Sequence, residues 1–282
     1  MKIREPFFAH QGWYPLKERD CRSAVEQYLK HAGAEQAPLG GVVPHAGWFF
    51  SGAVAGRTFA ALAKQKPQVI FVFGGHLRPH DGCILMTEGA FGTPLGPVPV
   101  AEELAQEAAE KFRCHVEYPD DFRPDNTIEL QMPFIRHIWP EVPVVAMQVP
   151  PTSLAEQIGR WAARLCAEKK LSALAIGSTD LTHYGANYGF MPRGTGEQAL
   201  RWSKEENDRP FLEKLLQFDC RGAIEHALTN HSACCPGAAA AAVAFCREAG
   251  AEAGRLLEHT TSAEVEGRER PTMWVGYASL VF

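Results

Sequence analysis

A chain of 282 residues, 46% of them hydrophobic, has the size and composition of one large globular domain. Its formal net charge is −5 and its basic residues are scattered, so nucleic acid is not an expected partner. The longest apolar run, residues 238–246, is much shorter than the roughly 20 residues that cross a bilayer, so no membrane association is expected. Residues 1–6 lack the apolar stretch of a secretory leader, and the eight cysteines show no disulfide-framework spacing, which together favour a reduced, cytoplasmic protein.

Strand and helix patterns alternate along the first 180 residues. An apolar stripe predicts a helix over residues 20–32 that ends at Gly33, and Ser51 is the predicted cap of a helix that reaches residue 62. A further amphipathic helix is predicted over residues 153–169. Continuous apolar runs predict strands covered on both faces at residues 41–43, 69–73, 142–149 and 171–176.

The later part of the chain is mainly helical before strand character returns. A helical pattern covers about sixty residues after Tyr188, and it includes an Ala-rich helix over residues 238–249 with Gly250 as its stop signal. Strands are predicted again at residues 255–260 and 272–282. This alternation predicts a single α/β domain over residues 1–282, with three αβα layers and a mainly parallel or mixed central sheet.

Three histidines follow predicted strands at equivalent places. His45, His76 and His183 each stand in a Gly-containing segment just after a buried strand. If these strands are parallel, the three side chains emerge at the carboxyl edge of one sheet, where open α/β sheets bind ligands. A single loop histidine is more often an ordinary surface residue, but three in this placement favour a site. His80 and His231 are near enough in sequence to be supporting candidates.

The adjacent cysteines Cys234 and Cys235 precede the Ala-rich helix. Pro236 suits the first turn of a helix, so the two thiols fall at or just before its N-terminus. Helix N-termini favour thiolates, the form that binds metal. Together with two strand-end histidines, one thiolate makes a metal site with open coordination positions, and either sulfur fits.

A series of ordered motifs connects these residues to a known family. The motifs are Gly12-Trp13-Tyr14-Pro15, Pro44-His45-Ala46-Gly47, Ser51-Gly52, Gly74-Gly75-His76, Ser178-Thr179-Asp180-Leu181-Thr182-His183-Tyr184-Gly185, Thr261-Ser262 and Val275-Gly276-Tyr277-Ala278. In this order and over most of the chain they resemble the Memo family, which includes the Memo-like component of the bacterial and archaeal AmmeMemoRadiSam system.

The resemblance implies a fold similar to that of class III extradiol dioxygenases, which are non-haem iron enzymes. Carried over to this chain, it makes His45 and His76 the imidazole ligands and Cys234 the thiolate ligand. His183 takes the acid/base position, with Asp180 beside it. Fe(II) is the implied ion, while the thiolate makes the centre softer and leaves copper or zinc as alternatives.

Two departures from the family pattern stand at this site. Cys235 occupies the position of the usual glycine and Ala238 that of a usual proline, so the choice between the two sulfurs stays open. Asn126 replaces a usual histidine, whereas Glu129 is retained as a residue that contacts substrate or orients a ligand.

Three functions fit these residues. The first is a mononuclear iron oxidoreductase acting on a small, aromatic or dihydroxylated substrate, with His183 moving a proton. The second is a module without turnover that handles iron or copper or binds a peptide. The third is zinc-dependent hydrolysis with Glu129 or His183 as base, although no H-E-x-x-H signature is present. The resemblance also implies radical SAM and AMMECR-like partner proteins, and an empty pocket without metal remains the plain alternative.

Overall fold

The computed structural model of the chain describes residues 1–31 and 38–282, so the predicted helix end at Gly33 lies outside the described residues. The strands are β1 (Ile3–Arg4), β2 (Gly40–Val43), β3 (Val69–Gly74), β4 (Ile84–Met86), β5 (Ala90–Phe91), β6 (Val98–Pro99), β7 (His115–Glu117), β8 (Val144–Gln148), β9 (Ala173–Ser178), β10 (His183–Tyr184), β11 (Arg255–Thr261) and β12 (Trp274–Val281). The helices are α1 (Phe7–His10), α2 (Glu18–Tyr28), α3 (Trp48–Leu62), α4 (Glu102–Phe112), α5 (Asn126–Glu129), α6 (Met132–Ile138), α7 (Ser153–Glu168), α8 (Glu197–Trp202), α9 (Arg209–Leu216), α10 (Cys220–Asn230), α11 (Pro236–Glu248) and α12 (Ser262–Val265).

Most strands of the described chain form one mixed sheet. Its order is β10-β12-β2-β9-β3-β8-β4-β7, and β11 pairs with β12. The four central strands β2, β9, β3 and β8 are parallel, whereas β12 and β4 run antiparallel to their inner neighbours. Every residue of β3 is buried, as expected for an apolar strand that is covered on both faces. The α/β fold class predicted from the sequence is confirmed, in its mixed-sheet form.

Helices cover both faces of this sheet. Successive strand residues point to opposite faces, and two glycines of β2 mark which helix lies on which side. A side chain at Gly40 would meet Cys246 on α11, whereas one at Gly41 would meet Thr58 on α3. The helices α7 and α11 pack together on the first side, and α2 packs on α3 on the second. The molecule therefore has the three layers that the alternation predicts.

Some local expectations differ from the structure. The helix expected to start at Ser51 begins at Trp48, because Gly47 has the extended backbone of the capping position. Ser51 lies inside the helix, where its hydroxyl donates to the Ala46 carbonyl at 2.8 Å. A small second sheet of β1, β5 and β6 has no counterpart in the predicted strands. Among the described helices, none combines the length and the apolar character needed to cross a bilayer.

Candidate metal centre

The carboxyl ends of three neighbouring parallel strands carry the predicted histidines and the Ser178–Asp180 segment. His45 follows β2 by two residues, His76 follows β3 by two, and β9 ends between them at Ser178. The cysteine segment is fixed to the same edge, since the Cys234 N–H donates to the Asp180 carbonyl at 3.1 Å. The strands β2, β9 and β3 are therefore parallel, as the sequence prediction required. Their ends and the cysteine segment meet at one place.

The side chains of His45, His76 and Cys234 converge. The Nε2 atom of His45 lies 3.2 Å from the Cys234 sulfur, and the two imidazole rings are 5.1 Å apart between centroids. The sulfur of Cys235 joins the group. One donor atom from each of these four residues lies within 4.8 Å of every other, which is a spacing suited to a single metal ion.

Each imidazole has a fixed partner on its outer nitrogen. The Nδ1 atom of His76 lies 3.1 Å from a carboxylate oxygen of Asp125, and Nδ1 of His45 lies 3.0 Å from the Ser178 hydroxyl. Such partners orient a histidine ligand and make its other nitrogen a better donor. No role was predicted from the sequence for Asp125. Its place one residue before the motif position Asn126 pointed to this segment, but nothing local joined it to His76.

Electrostatics around the cluster favour a thiolate beside protonated imidazoles when no ion is bound. Burial opposes a charged His76, but Asp125 and Cys234 outweigh it and raise the pKa of His76 to about 10. Burial likewise opposes a charged Asp125, yet His76 and Thr127 lower the pKa of that carboxyl to about 2. Burial disfavours the Cys234 thiolate, but a hydrogen bond from Cys235 and the two imidazoles hold the pKa of Cys234 well below its usual range.

His183 lies on the wall of the same cavity, at the start of β10 rather than in a loop. Its Nδ1 is 3.0 Å from the Leu181 carbonyl, which only accepts, so Nδ1 carries the proton, and Nε2 has no hydrogen-bond partner among the described residues. The ring packs edge-on against Tyr188, with centroids 5.1 Å apart. This geometry gives His183 one nitrogen available for proton transfer to a bound molecule.

Asp180, which the resemblance places beside His183, has its hydrogen-bond partner in His45. One of its carboxylate oxygens accepts the backbone N–H of His45 at 2.7 Å, and the other lies 3.9 Å from Nε2 of His45. Burial raises the pKa of Asp180 despite the opposing charge of His45. The carboxylate is therefore a partner of His45, because the chain turns after Ser178 and directs it back toward β2.

Glu129 also has a different place from the one expected. Its carboxylate accepts the backbone N–H groups of Phe7, Phe8 and Ala9 at 2.9, 2.7 and 3.2 Å, and the Tyr14 hydroxyl at 3.0 Å. It therefore caps α1 and fastens the N-terminal segment, and it is not among the side chains that line the cavity beside His45.

Asn126, the substituted family position, does reach the site. Its side-chain amide donates to the His45 carbonyl at 2.9 Å and faces the cavity. Of the two supporting candidates, His80 has a side chain that is 75% exposed, whereas the His231 ring lies against Phe190 in a neighbouring cavity that also reaches Cys234. Of these two histidines, His231 is thus the one near the cluster.

A buried polar group behind His183 was not anticipated. Asp208 ends a π-helical turn over Ser203–Asp208, a form of helix that is frequent at functional sites. Its carboxylate accepts the Thr182 N–H at 3.1 Å and the Thr182 hydroxyl, and its other oxygen lies 3.3 Å from Nε2 of His259. The residue that precedes His183 is therefore held by a fully buried carboxylate.

A cavity of about 630 Å³ opens above the cluster. His45, His76 and His183 lie in its wall, with Asn126 and Asp180. Much of the remaining wall is aromatic and comes from Trp13, Phe49, Phe50, Tyr188, Trp274 and Tyr277. A second cavity of about 390 Å³ lies on the other side of His183 and reaches Cys234. The larger cavity has the volume and the mostly apolar lining of a small-molecule site.

Comparisons with known proteins agree with the motif pattern. The model of the Memo-like protein family matches residues 4–281. A MEMO1 family protein of Thermococcus kodakarensis is 33% identical over 293 aligned positions, covering 99% of each chain. One of Pyrococcus horikoshii is also 33% identical over 293 positions, covering 99% of this chain and 98% of its own. An uncharacterized protein of Escherichia coli K12, known from a crystal structure, superposes with a TM-score of 0.43 at 16% identity, covering 77% of this chain and 87% of that one.

Proposed function

The chain belongs to the Memo family, and from that membership and the cluster geometry we propose that it binds one metal ion and acts as an oxidoreductase on a small molecule. The proposed ligands are His45, His76 and Cys234. The observation that carries this proposal is the convergence of two imidazoles and a thiol from separate elements, with both imidazoles in the wall of an open cavity.

The residues present fit a metal ion. Buried polar groups are normally paired, and here the nearest partner of the inward nitrogen of His45 is the Cys234 sulfur at 3.2 Å, with an Asp180 carboxylate oxygen farther away at 3.9 Å. The outward nitrogen has the Ser178 hydroxyl as its partner. Asp125 gives His76 the same kind of outer support. An ion at this point would satisfy the inward donor atoms together, in the manner of metal sites whose histidines are oriented by a second set of residues.

Fe(II) is the ion that we propose first, following the resemblance to the extradiol dioxygenases. When bound, it supplies Lewis-acid and redox chemistry to a molecule in the cavity. The thiolate of Cys234 is a softer donor than the carboxylate of those enzymes, so copper and zinc are the alternatives.

We assign the proton transfers to His183. Its Nε2 lies on the cavity wall, and its Nδ1 is held by the Leu181 carbonyl, so the ring presents one nitrogen to a bound hydroxyl group. The π-helical turn that fixes Thr182 supports this orientation. In this proposal Asp180 positions His45 and exchanges no proton with substrate, and Glu129 has no part in the chemistry.

The cavity supports an aromatic substrate. Its walls carry several aromatic side chains, and its volume of about 630 Å³ suits a small ring compound. Aromatic rings pack favourably edge-on or offset against such walls. We therefore propose small aromatic molecules, those with two adjacent hydroxyl groups first, as the compounds to be tried.

The test is oxygen consumption by the iron-loaded protein. Protein loaded with Fe(II) without air is mixed with each of a panel of catechols, and oxygen uptake and loss of the catechol are followed together. We expect uptake with the wild type and none with His45→Ala. A wild type that holds iron but consumes no oxygen with any compound would contradict the oxidoreductase assignment.

A second candidate function is metal handling without turnover. The observation that favours it is the second sulfur beside the cluster, because paired thiolates and imidazoles retain soft ions such as Cu(I) firmly. Zinc-dependent hydrolysis has less support, since Glu129 is engaged at the N-terminal segment and leaves only His183 as a base. The radical SAM and AMMECR-like partner proteins stay a prediction from the family resemblance.

A further inference from the structure

The cluster holds one more donor atom than the proposed ligand set uses. Cys235 is 2% exposed, and its sulfur lies within 4.8 Å of the donor atoms of His45, His76 and Cys234. The mechanism proposed above gives this buried thiol no task. A thiol so close to three other metal donors is a ligand candidate in its own right.

The backbone explains why neighbouring cysteines present both sulfurs to one point. The Cys234 N–H donates to the Asp180 carbonyl at 3.1 Å, and the Cys235 N–H donates to the Thr179 hydroxyl at 3.0 Å. Both residues are thereby attached to the end of β9, and Pro236 begins α11 directly after them. Cys235 is the capping residue of that helix, so its backbone leaves the extended path that would send adjacent side chains in opposite directions.

We propose that Cys235 is a fourth protein ligand, so that the centre is a His₂Cys₂ site formed by His45, His76, Cys234 and Cys235. The inference rests on the metal binding proposed above and extends it. Four donors at about 2.0–2.3 Å from an ion lie roughly 3.3–3.8 Å from one another in a tetrahedron. The separation of 3.2 Å between Nε2 of His45 and the Cys234 sulfur is close to this spacing, and no two of the four donor atoms are more than 4.8 Å apart.

With four protein ligands, the number of coordination positions left open depends on the geometry that the ion prefers. A tetrahedral ion such as zinc would have every position filled, as in structural zinc sites. An octahedral ion would keep two positions free toward the cavity. The same residues therefore give a closed centre with zinc and an accessible one with iron, which ties the proposed oxidoreductase activity to the identity of the metal.

The test counts the sulfur ligands directly, by X-ray absorption at the zinc edge of the zinc-loaded wild-type chain. We expect two sulfur neighbours at about 2.3 Å and two nitrogen neighbours at about 2.0 Å. One sulfur with bound zinc would overturn the four-ligand centre and leave the three-ligand proposal intact. A wild type that binds no zinc, cobalt or iron would contradict both. This measurement needs no variant, so it does not depend on how a substituted chain folds.

Absorption spectra of cobalt-loaded variants show which cysteines bind the ion. Co(II) bound to thiolates has strong near-ultraviolet charge-transfer absorption, which should fall by about half when one of two thiolates is removed. We expect this loss in Cys235→Ala and in Cys234→Ala, while Cys166→Ala, which removes a buried thiol of α7 outside the cluster, should match the wild type. A Cys235→Ala spectrum equal to that of the wild type would overturn the proposal.

Discussion

At the scale of single residues, the sequence indicated the donor atoms but not the groups that support them. His45, His76 and the pair Cys234–Cys235 could be found because strand ends and a helix start are visible in the local pattern, whereas the choice of Cys234 came from the family resemblance. Asp125 could not be assigned, because its partner His76 lies 49 residues earlier and no short-range pattern joins them. The contact of Asp180 with His45 could not be predicted either, since a spacing of three residues from His183 does not fix the direction of a side chain at a turn.

Asp125→Asn tests the support of His76. The asparagine amide keeps the shape of the Asp125 side chain but removes its negative charge. That charge favours the proton on Nδ1 of His76 and makes Nε2 of His76 a stronger metal donor. We expect metal affinity to fall by about 10- to 100-fold, as for other partners of metal-bound histidines. Competition with a coloured chelator measures it. Asp120→Asn, which changes an exposed carboxylate of the same loop, is the control, and equal affinities of the two variants would contradict the assignment.

His183→Ala separates proton transfer from metal binding. The variant should keep its metal and lose turnover by roughly 10²–10⁴-fold, the range for a missing general acid or base. Metal content and the oxygen-uptake rate with an active compound are measured on the same preparation. His80→Ala, which removes an exposed histidine outside the cluster, is the matched control. Loss of the metal would make His183 a ligand, and unchanged turnover would remove it from the mechanism.

At the scale of elements, long apolar strands were predictable and short ones were not. The strands β2, β3, β8 and β9 lie within two residues of their predicted bounds, because apolar runs of this length are buried on both faces. The small sheet of β1, β5 and β6 consists of two-residue strands, which give no period to read. The helix start at Trp48 was misplaced because Gly47 caps through its backbone alone and leaves no side-chain signal.

Glu129→Gln tests whether this carboxylate serves the N-terminal segment. The amide has one acceptor oxygen where the carboxylate has two, and it carries no charge, so it cannot keep all four hydrogen bonds that fix α1 and Tyr14. We therefore expect the free energy of unfolding to fall by about 1–3 kcal/mol. Metal content should stay at the wild-type level. Urea unfolding and metal analysis decide this, with the exposed Glu5→Gln as control. Loss of metal without loss of stability would return Glu129 to the site.

At the scale of the whole molecule, the order of strands and helices was enough to predict an α/β fold and the edge that carries the site. Which strands run antiparallel was harder to predict from the sequence, because β12 and β4 pair with strands that are far away along the chain. The parallel strands β2, β9 and β3 still set the geometry, since their carboxyl ends hold His45, Asp180 and His76 at one edge.

The stability of the metal-free chain should depend on pH through His76. The folded chain raises the pKa of this group from 6.5 to about 10, so the protonated form stabilises the fold. This contribution is complete below about pH 6.5 and is lost as the pH rises toward 10. Urea unfolding in the presence of a chelator should show stability falling across this range in the wild type and less steeply in His76→Ala. Equal slopes would contradict the assigned environment of His76.

The central claim is that the cluster at this sheet edge binds one metal ion. The most direct measurement is the metal content of the full chain purified without air, by mass spectrometry, together with that of His45→Ala and of the control His80→Ala. We expect about one ion per chain in the wild type and the control, and a content at least about tenfold lower in His45→Ala. A wild type without metal, or His45→Ala with the same content as the wild type, would contradict the account.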